Sequence, residues 1–201
     1  SQVNIFTYPE TKLVLEEQIR EDGVLHTKNL LTRIFHNKII NFPLSYISNY
    51  FEYFSFNFLF INNLPPWYFV PNMGVLYIVL FPFVIYGIFK AAIDKNNAPK
   101  LLLVWLVLGP VAAATAVDTN NLQRAIVLFP ILEILGAFGI LSVYHRLPKG
   151  KNIFVLIVSL ALIANTAYFL HQYFVHTKIH RPWYRNAGFK EMMNVINSSY
   201  N

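Results

Sequence analysis

The sequence predicts an all-α integral membrane protein, with four transmembrane helices preceded by an extracytoplasmic region with interfacial amphipathic helices. Three observations lead there. Of the 201 residues, 55% are hydrophobic and only 13% charged, where a soluble domain carries about 25% charged residues. Mean hydropathy is +0.42. Four apolar runs follow residue 72: Met73–Ile93, Leu101–Val117, Ala125–Tyr144 and Ile153–Phe174. At 1.5 Å per residue these runs reach about 25–33 Å, which matches a hydrocarbon core of roughly 30 Å. Buried helices of a soluble bundle would keep a polar stripe, and these runs have none.

Composition also excludes several classes. An aromatic content of 16% is the opposite of the signature of disorder. The absence of cysteine removes disulfide scaffolds and thiolate zinc sites. The net charge of +6 leaves nucleic acid or anionic lipid as partner classes. No basic helix and no Gly-flanked aromatic motif is present, so membrane lipid is the expected partner and nucleic acid is not. Ser1–Asp22 is polar and carries no secretory leader. The chain is expected to be a piece of a longer protein, or a processed one.

Residues 1–72 are expected to form an extracytoplasmic region. Pro9–Asp22 reads as a short helix ended by Gly23. Thr27–Phe42 places Leu30, Leu31, Ile34, Phe35, Ile39 and Ile40 at helical spacing. Leu44–Ile61 is rich in Tyr and Phe but interrupted by Ser and Asn, and an amphipathic helix lying at the membrane interface fits it better than a fifth span. Asn62–Asn72, with Pro65, Pro66 and Pro71, is an irregular lead into the first span. Residues 73–175 hold the four spans. Pro82, Pro110 and Pro130 lie inside them and permit kinks. Residues 176–201 form an extracytoplasmic tail.

Loop charge orients the spans. Lys90–Lys100 carries Lys90, Lys95 and Lys100 against Asp94, and His145–Asn152 carries Arg146, Lys149 and Lys151 with no acid. The positive-inside rule places both loops in the cytoplasm. Residues 1–72, the loop 118–124 and the tail then lie outside.

Few residues are placed to do chemistry. Glu133 is the one ionisable group well inside a span, and a charge there costs at least ~2.5 kcal/mol unless it meets a cavity or a partner. The functional reading is a polar pathway or a substrate contact, and the plainer one is a protonated carboxyl bonded to a neighbouring helix. Asp118, Asn120, Asn121, Gln123 and Arg124 crowd one loop, with Arg124 at the N-terminal end of the third span, where helix dipole and guanidinium both favour a phosphate. Arg33, His36 and Lys38 cluster within the interfacial region and suit lipid phosphate or an anionic surface. His176 and His180 have the i, i+4 spacing of metal ligands, but the nearest carboxylate in sequence is Glu191, and no metal or cofactor is expected. No Ser/His/Asp order, P-loop or paired-carboxylate motif is visible.

Several strings together carry a family resemblance. They are Leu25-His26-Thr27, Thr32-Arg33-Ile34-Phe35-His36-Asn37-Lys38, Asn49-Tyr50-Phe51, Phe54-Ser55, Phe58-Leu59-Phe60-Ile61, Val70-Pro71-Asn72-Met73-Gly74-Val75-Leu76-Tyr77 and Asn121-Leu122-Gln123-Arg124-Ala125, followed by Pro130. Trp183-Tyr184-Arg185-Asn186-Ala187-Gly188-Phe189-Lys190-Glu191 closes the series. In this order the chain resembles the C-terminal half of bacterial multi-span glycosyltransferases of the GT-C class, the protein mannosyltransferase and lipid A aminoarabinose transferase group. The resemblance implies transfer of a sugar from a polyisoprenyl-phosphate donor to an extracytoplasmic acceptor, at the bacterial inner membrane. It also implies that the catalytic Asp lies on an upstream loop that no segment here matches. Arg124, Gln123, Arg33, His36 and Lys38 match the family strings and are the expected contacts to the carrier phosphate or sugar. The chain departs from the family where Glu52 or Tyr53 stands in place of a His, and where Asn62, Asn63 and Leu64–Tyr68 replace an acidic and a basic residue after the Phe-Leu-Phe run. These departures bear on sugar and acceptor specificity. Two other readings compete: a non-catalytic membrane subunit of a polysaccharide assembly or export system, and a transporter. The transporter ranks last because no paired repeat is visible.

Overall fold

The computed structural model describes residues 17, 20, 38–61, 70–116, 121–180 and 189–200. Among them every regular element is helical. Helix α1 (Lys38–Glu52) is followed by a π-helical turn at Asn57–Ile61. A 3-10 turn at Ile78–Leu80 leads into α2 (Phe81–Ile93), and α3 (Asn97–Leu108) continues through a bend to a 3-10 turn at Ala113–Thr115. Then come α4 (Leu128–Arg146) and α5 (Lys151–His171), which runs through a π-helical turn at Gln172–His176 into α6 (Thr177–His180). Helix α7 (Phe189–Tyr200) lies in the tail.

Among the described residues, three helices are long and apolar enough to cross a membrane: Asn97–Thr115, Leu128–Arg146 and Lys151–His176. These correspond to the last three expected runs. The first run differs, since it is helical only over Ile78–Ile93, which is shorter. Its opening residues spend their backbone donors elsewhere. Val75 N–H reaches Phe58 O at 3.4 Å, and Leu76 N–H reaches Leu59 O at 2.7 Å. A segment bonded to the π turn in this way cannot also close its own helical turn.

The most extensive helix packing is between α2 and α4. Glycines permit it. A Cβ on Gly87 would collide with Leu135 O, and one on Gly139 would collide with Phe83 O. The two backbones therefore touch reciprocally, as small-residue crossings do in membrane helices. Ala91, one turn beyond Gly87, is fully buried in the same core. That core joins Val84 of α2, Leu106 of α3 and Leu128, Ile131, Leu132 and Leu135 of α4 to Tyr53, Phe58 and Phe60. The outer faces are unlike those of a soluble protein. On α5 the side chains of Ile153, Leu156, Ile157, Leu160 and Ile163 are all more than half exposed.

The aromatic segment Leu44–Ile61 departs from expectation. It is not one amphipathic helix. A single helix, α1, runs across the expected boundary at Pro43 and stops at Glu52. Ser55 explains the stop: its Oγ accepts from Phe58 N–H at 3.2 Å and donates to Glu52 Oε1 at 3.4 Å. A side chain that bonds the backbone of a new turn ends the old helix. The chain then folds inward, so Tyr53, Phe58, Leu59 and Phe60 are buried while Phe51 remains exposed. The expected helix at 9–22, and residues 27–37 of the one expected over Thr27–Phe42, lie outside the described residues, apart from Glu17 and Arg20, which form an exposed i, i+3 ion pair.

Helix α3 breaks where Pro110 lacks an N–H. Val111 N–H turns back to Leu108 O at 3.2 Å, which leaves Val107 O without its helical donor. Tyr50 O–H donates to that oxygen at 2.9 Å. Tyr46 O–H donates to Val111 O at 3.2 Å, and Asn49 Nδ2 donates to Ala114 O at 3.3 Å and to Ala116 O at 3.1 Å. One face of α1, at spacing i, i+3, i+4, thus satisfies carbonyls at the broken end of α3.

Candidate functional site: a cleft at Glu133

The site begins with a turn. Val70-Pro71-Asn72-Met73 closes through Met73 N–H to Val70 O at 3.3 Å, and Asn72 adopts φ 55°. Asparagine tolerates that left-handed conformation better than most residues. Gly74 then lies directly against Leu59 and Phe60, so close that a Cβ would sit 2.5 Å from Leu59 O. Only glycine fits there. The bonds from Val75 and Leu76 pin the strip to the π turn, and Tyr77 begins the rise into α2.

This pinned strip forms one wall of a cleft of about 340 Å³. Met73, Gly74, Leu76 and Tyr77 line it from one side, Glu133 from α4 and Phe169 from α5 from the others. The volume falls in the range of small-ligand sites. The rings of Tyr77 and Phe169 lie 6.5 Å apart at 51°. On α4, Ile131, Leu132 and Leu135 point into the core, and Glu133 faces outward into the cleft. Among the described residues, no ion pair or hydrogen bond engages the Glu133 carboxylate or the Tyr77 hydroxyl. The cleft therefore offers an anionic acceptor and a phenol beside an aromatic pair. That set can hold hydroxyl or amine donors on a ligand with an apolar face.

The expected phosphate contacts are placed as follows. Arg124 is half-buried and Gln123 exposed, on a non-helical stretch that precedes α4. Helix α4 begins at Leu128, three residues after the expected start at Ala125. Asn121 is the cause. Its Oδ1 accepts from Gln123 N–H at 3.1 Å and its O accepts from Ala125 N–H at 3.2 Å, so the chain makes a side-chain-closed turn. Arg124 stands a full turn before the helix, where the dipole contributes little. Any anion it holds is held by the guanidinium. Lys38 is the first residue of α1, and its side chain lies outside the described residues, as do Arg33 and His36 entirely. Asp118 and Asn120 lie outside them as well.

Sequence reasoning singled out Glu133 but not its companions. Tyr77 and Phe169 carry no local signal, because they meet Glu133 only through the packing of three elements. Among the described residues no group of three or more His, Asp or Glu is placed to hold a metal ion. No protein-family model, no curated protein and no solved structure matches the chain.

Proposed function

We propose that this chain is the four-span C-terminal part of a multi-span membrane glycosyltransferase, which moves a sugar from a polyisoprenyl-phosphate carrier to an extracytoplasmic acceptor. The observation that carries the reading is the Glu133 cleft. Two separate strings of the family resemblance, Phe58–Ile61 and Val70–Tyr77, are bonded to each other, and the second walls the cleft. An unpaired carboxylate on an apolar helix is by default a functional group.

In this reading Glu133 and Tyr77 hydrogen-bond sugar hydroxyls, and the Tyr77 and Phe169 rings face the apolar side of the sugar. Arg124 and Gln123 contact the carrier phosphate, with Arg33, His36 and Lys38 as further donors. The acceptor atom forms a bond to the anomeric carbon as the sugar–phosphate bond breaks. The carrier phosphate leaves with the bonding electrons, and the acceptor's proton passes to the base on the upstream loop. Fixed cations stabilise the charge that builds on the leaving oxygen, and removing one such donor commonly lowers the rate about 10²–10³-fold. The test is Arg124→Ala in the full-length enzyme, assayed for sugar transfer from the carrier in membrane vesicles. Transfer is expected to be lost while membrane insertion is intact. Normal turnover in that variant would sink the phosphate assignment, whereas no transfer by the unaltered protein would favour a non-catalytic subunit.

A further inference from the structure

A second concavity lies between α4 and α5, away from the Glu133 cleft. The two helices are joined by the short connection Leu147–Gly150 and pack against each other only lightly. Between them is a groove of about 340 Å³, lined by Ile140, Leu141 and Tyr144 of α4 and by Phe154, Val158 and Leu162 of α5. Val158 is the buried residue of α5, at the floor of the groove. Such a lining suits an acyl chain, but an apolar groove alone does not say what fills it.

Charge at the mouth says more. Arg146, Lys149 and Lys151 fall within six residues, and the sequence from 134 to 190 contains no Asp or Glu. Lys151 Nζ lies 5.1 Å from the centroid of the Tyr144 ring, which holds the ammonium over the groove's lining. The first turn of α5 adds to this. Gly150, at φ 79°, precedes the helix and provides no side-chain cap. The N–H groups of Lys151, Asn152 and Ile153 therefore face outward at the positive end of a 21-residue helix. The loop that joins the groove's two walls thus carries three basic residues and an uncapped helix start, and Lys151 lies against the groove's lining. Basic pockets between membrane helices receive anionic head groups.

We propose that the α4–α5 groove binds an anionic phospholipid, its acyl chain against Val158 and Phe154 and its phosphate at the Arg146–Lys151 loop. The site is independent of sugar transfer. It occupies the end of α4 opposite to Glu133, and its role is to fill the gap between two lightly packed helices.

The test uses the purified full chain and native mass spectrometry, with phosphatidylglycerol or phosphatidylcholine of identical acyl chains. Phosphatidylglycerol is expected to be retained in preference. Lys149→Gln and Lys151→Gln, at surface positions that leave the fold intact, are each expected to lower that preference about fivefold, the ratio equivalent to about 1 kcal/mol per basic side chain near an anionic surface. Val158→Trp fills the groove and is expected to displace bound phosphatidylglycerol. Equal retention of the two lipids would overturn the proposal. So would unchanged preference in both glutamine variants, or disulfide-linked dimers of a Val155→Cys chain, which would place a second copy in the groove.

Discussion

Glu133 and Gly139 share helix α4 and answer opposite demands. Glu133 was legible in the sequence because a lone charge in an apolar run must find a partner. Its companions were not, because Tyr77 and Phe169 reach it only through tertiary packing. Glu133→Gln keeps the shape of the cleft and removes the charge. If the carboxylate holds sugar hydroxyls, transfer by the full-length enzyme should fall about tenfold to a hundredfold, the range for a hydrogen bond to a charged group. An unchanged rate would return Glu133 to a packing role. Gly139 acts through what it lacks. A side chain there meets the Phe83 backbone of α2, which cannot move aside as a flexible side chain would. Gly139→Leu should destabilise the α2–α4 pair by at least the ~1–3 kcal/mol of an overpacked core. Gly150→Ala has open space around it and should cost only the ~1–2 kcal/mol of a left-handed residue with a Cβ. Thermal unfolding in detergent compares the two variants directly, and equal losses would contradict the close-contact account.

At the scale of elements, the sequence marked apolar runs well and their ends poorly. The runs after residue 100 are helices within a few residues of their expected limits, because hydrophobic length reports a span directly. Ends depend on single polar side chains. Ser55 terminates the aromatic segment, Asn121 delays α4, and the Val70–Leu76 strip is drawn from α2 by the π turn. None of these has a periodic signature. The docking of α1 onto the broken end of α3 was also not legible, although Pro110 announced the break. Tyr50→Phe or Asn49→Ala removes these bonds and should weaken this docking by about 0.5–1.5 kcal/mol each. Faster amide exchange across Lys38–Glu52, with the α2–α4 pair unaffected, is the expected readout. Burial, with the neighbouring Tyr46 phenol, holds the Tyr50 hydroxyl above its ordinary value of 10.0. The unfolded phenol ionises first as pH rises, so the neutral tyrosine's contribution is complete below pH 10.0 and is lost above it as the folded group ionises. Docking of α1 should loosen in that alkaline range, and Tyr50→Phe should remove this group's part of the pH dependence.

For the whole molecule, the packing of α2 on α4 sets the two basic loops at one end. Val84 meets Gly136 and Gly87 meets Gly139, so the helices run parallel and their C-termini lie together. Lys90, Lys95 and Lys100 therefore share an end with Arg146, Lys149 and Lys151. Our reading puts that end in the cytoplasm. The chain contains no cysteine, so a Pro148→Cys label reports this loop once any cysteine elsewhere in the full-length protein is replaced. It should react with a membrane-impermeant thiol reagent only after the cells are permeabilised. Labelling of intact cells would invert the topology and place the proposed phosphate contacts on the wrong side for an extracytoplasmic transfer.

The join between α1 and the end of α3 also dictates an order of assembly. Ribosomal synthesis makes Tyr46, Asn49 and Tyr50 well before the carbonyls of Val107, Val111, Ala114 and Ala116 exist. During that interval these side chains bond to water, and α1 has no reason to leave it. Once α3 follows, its broken end presents acceptors without helical donors, and α1 supplies donors to them. The seating of α1 can therefore be completed only after residues 107–116 have been made.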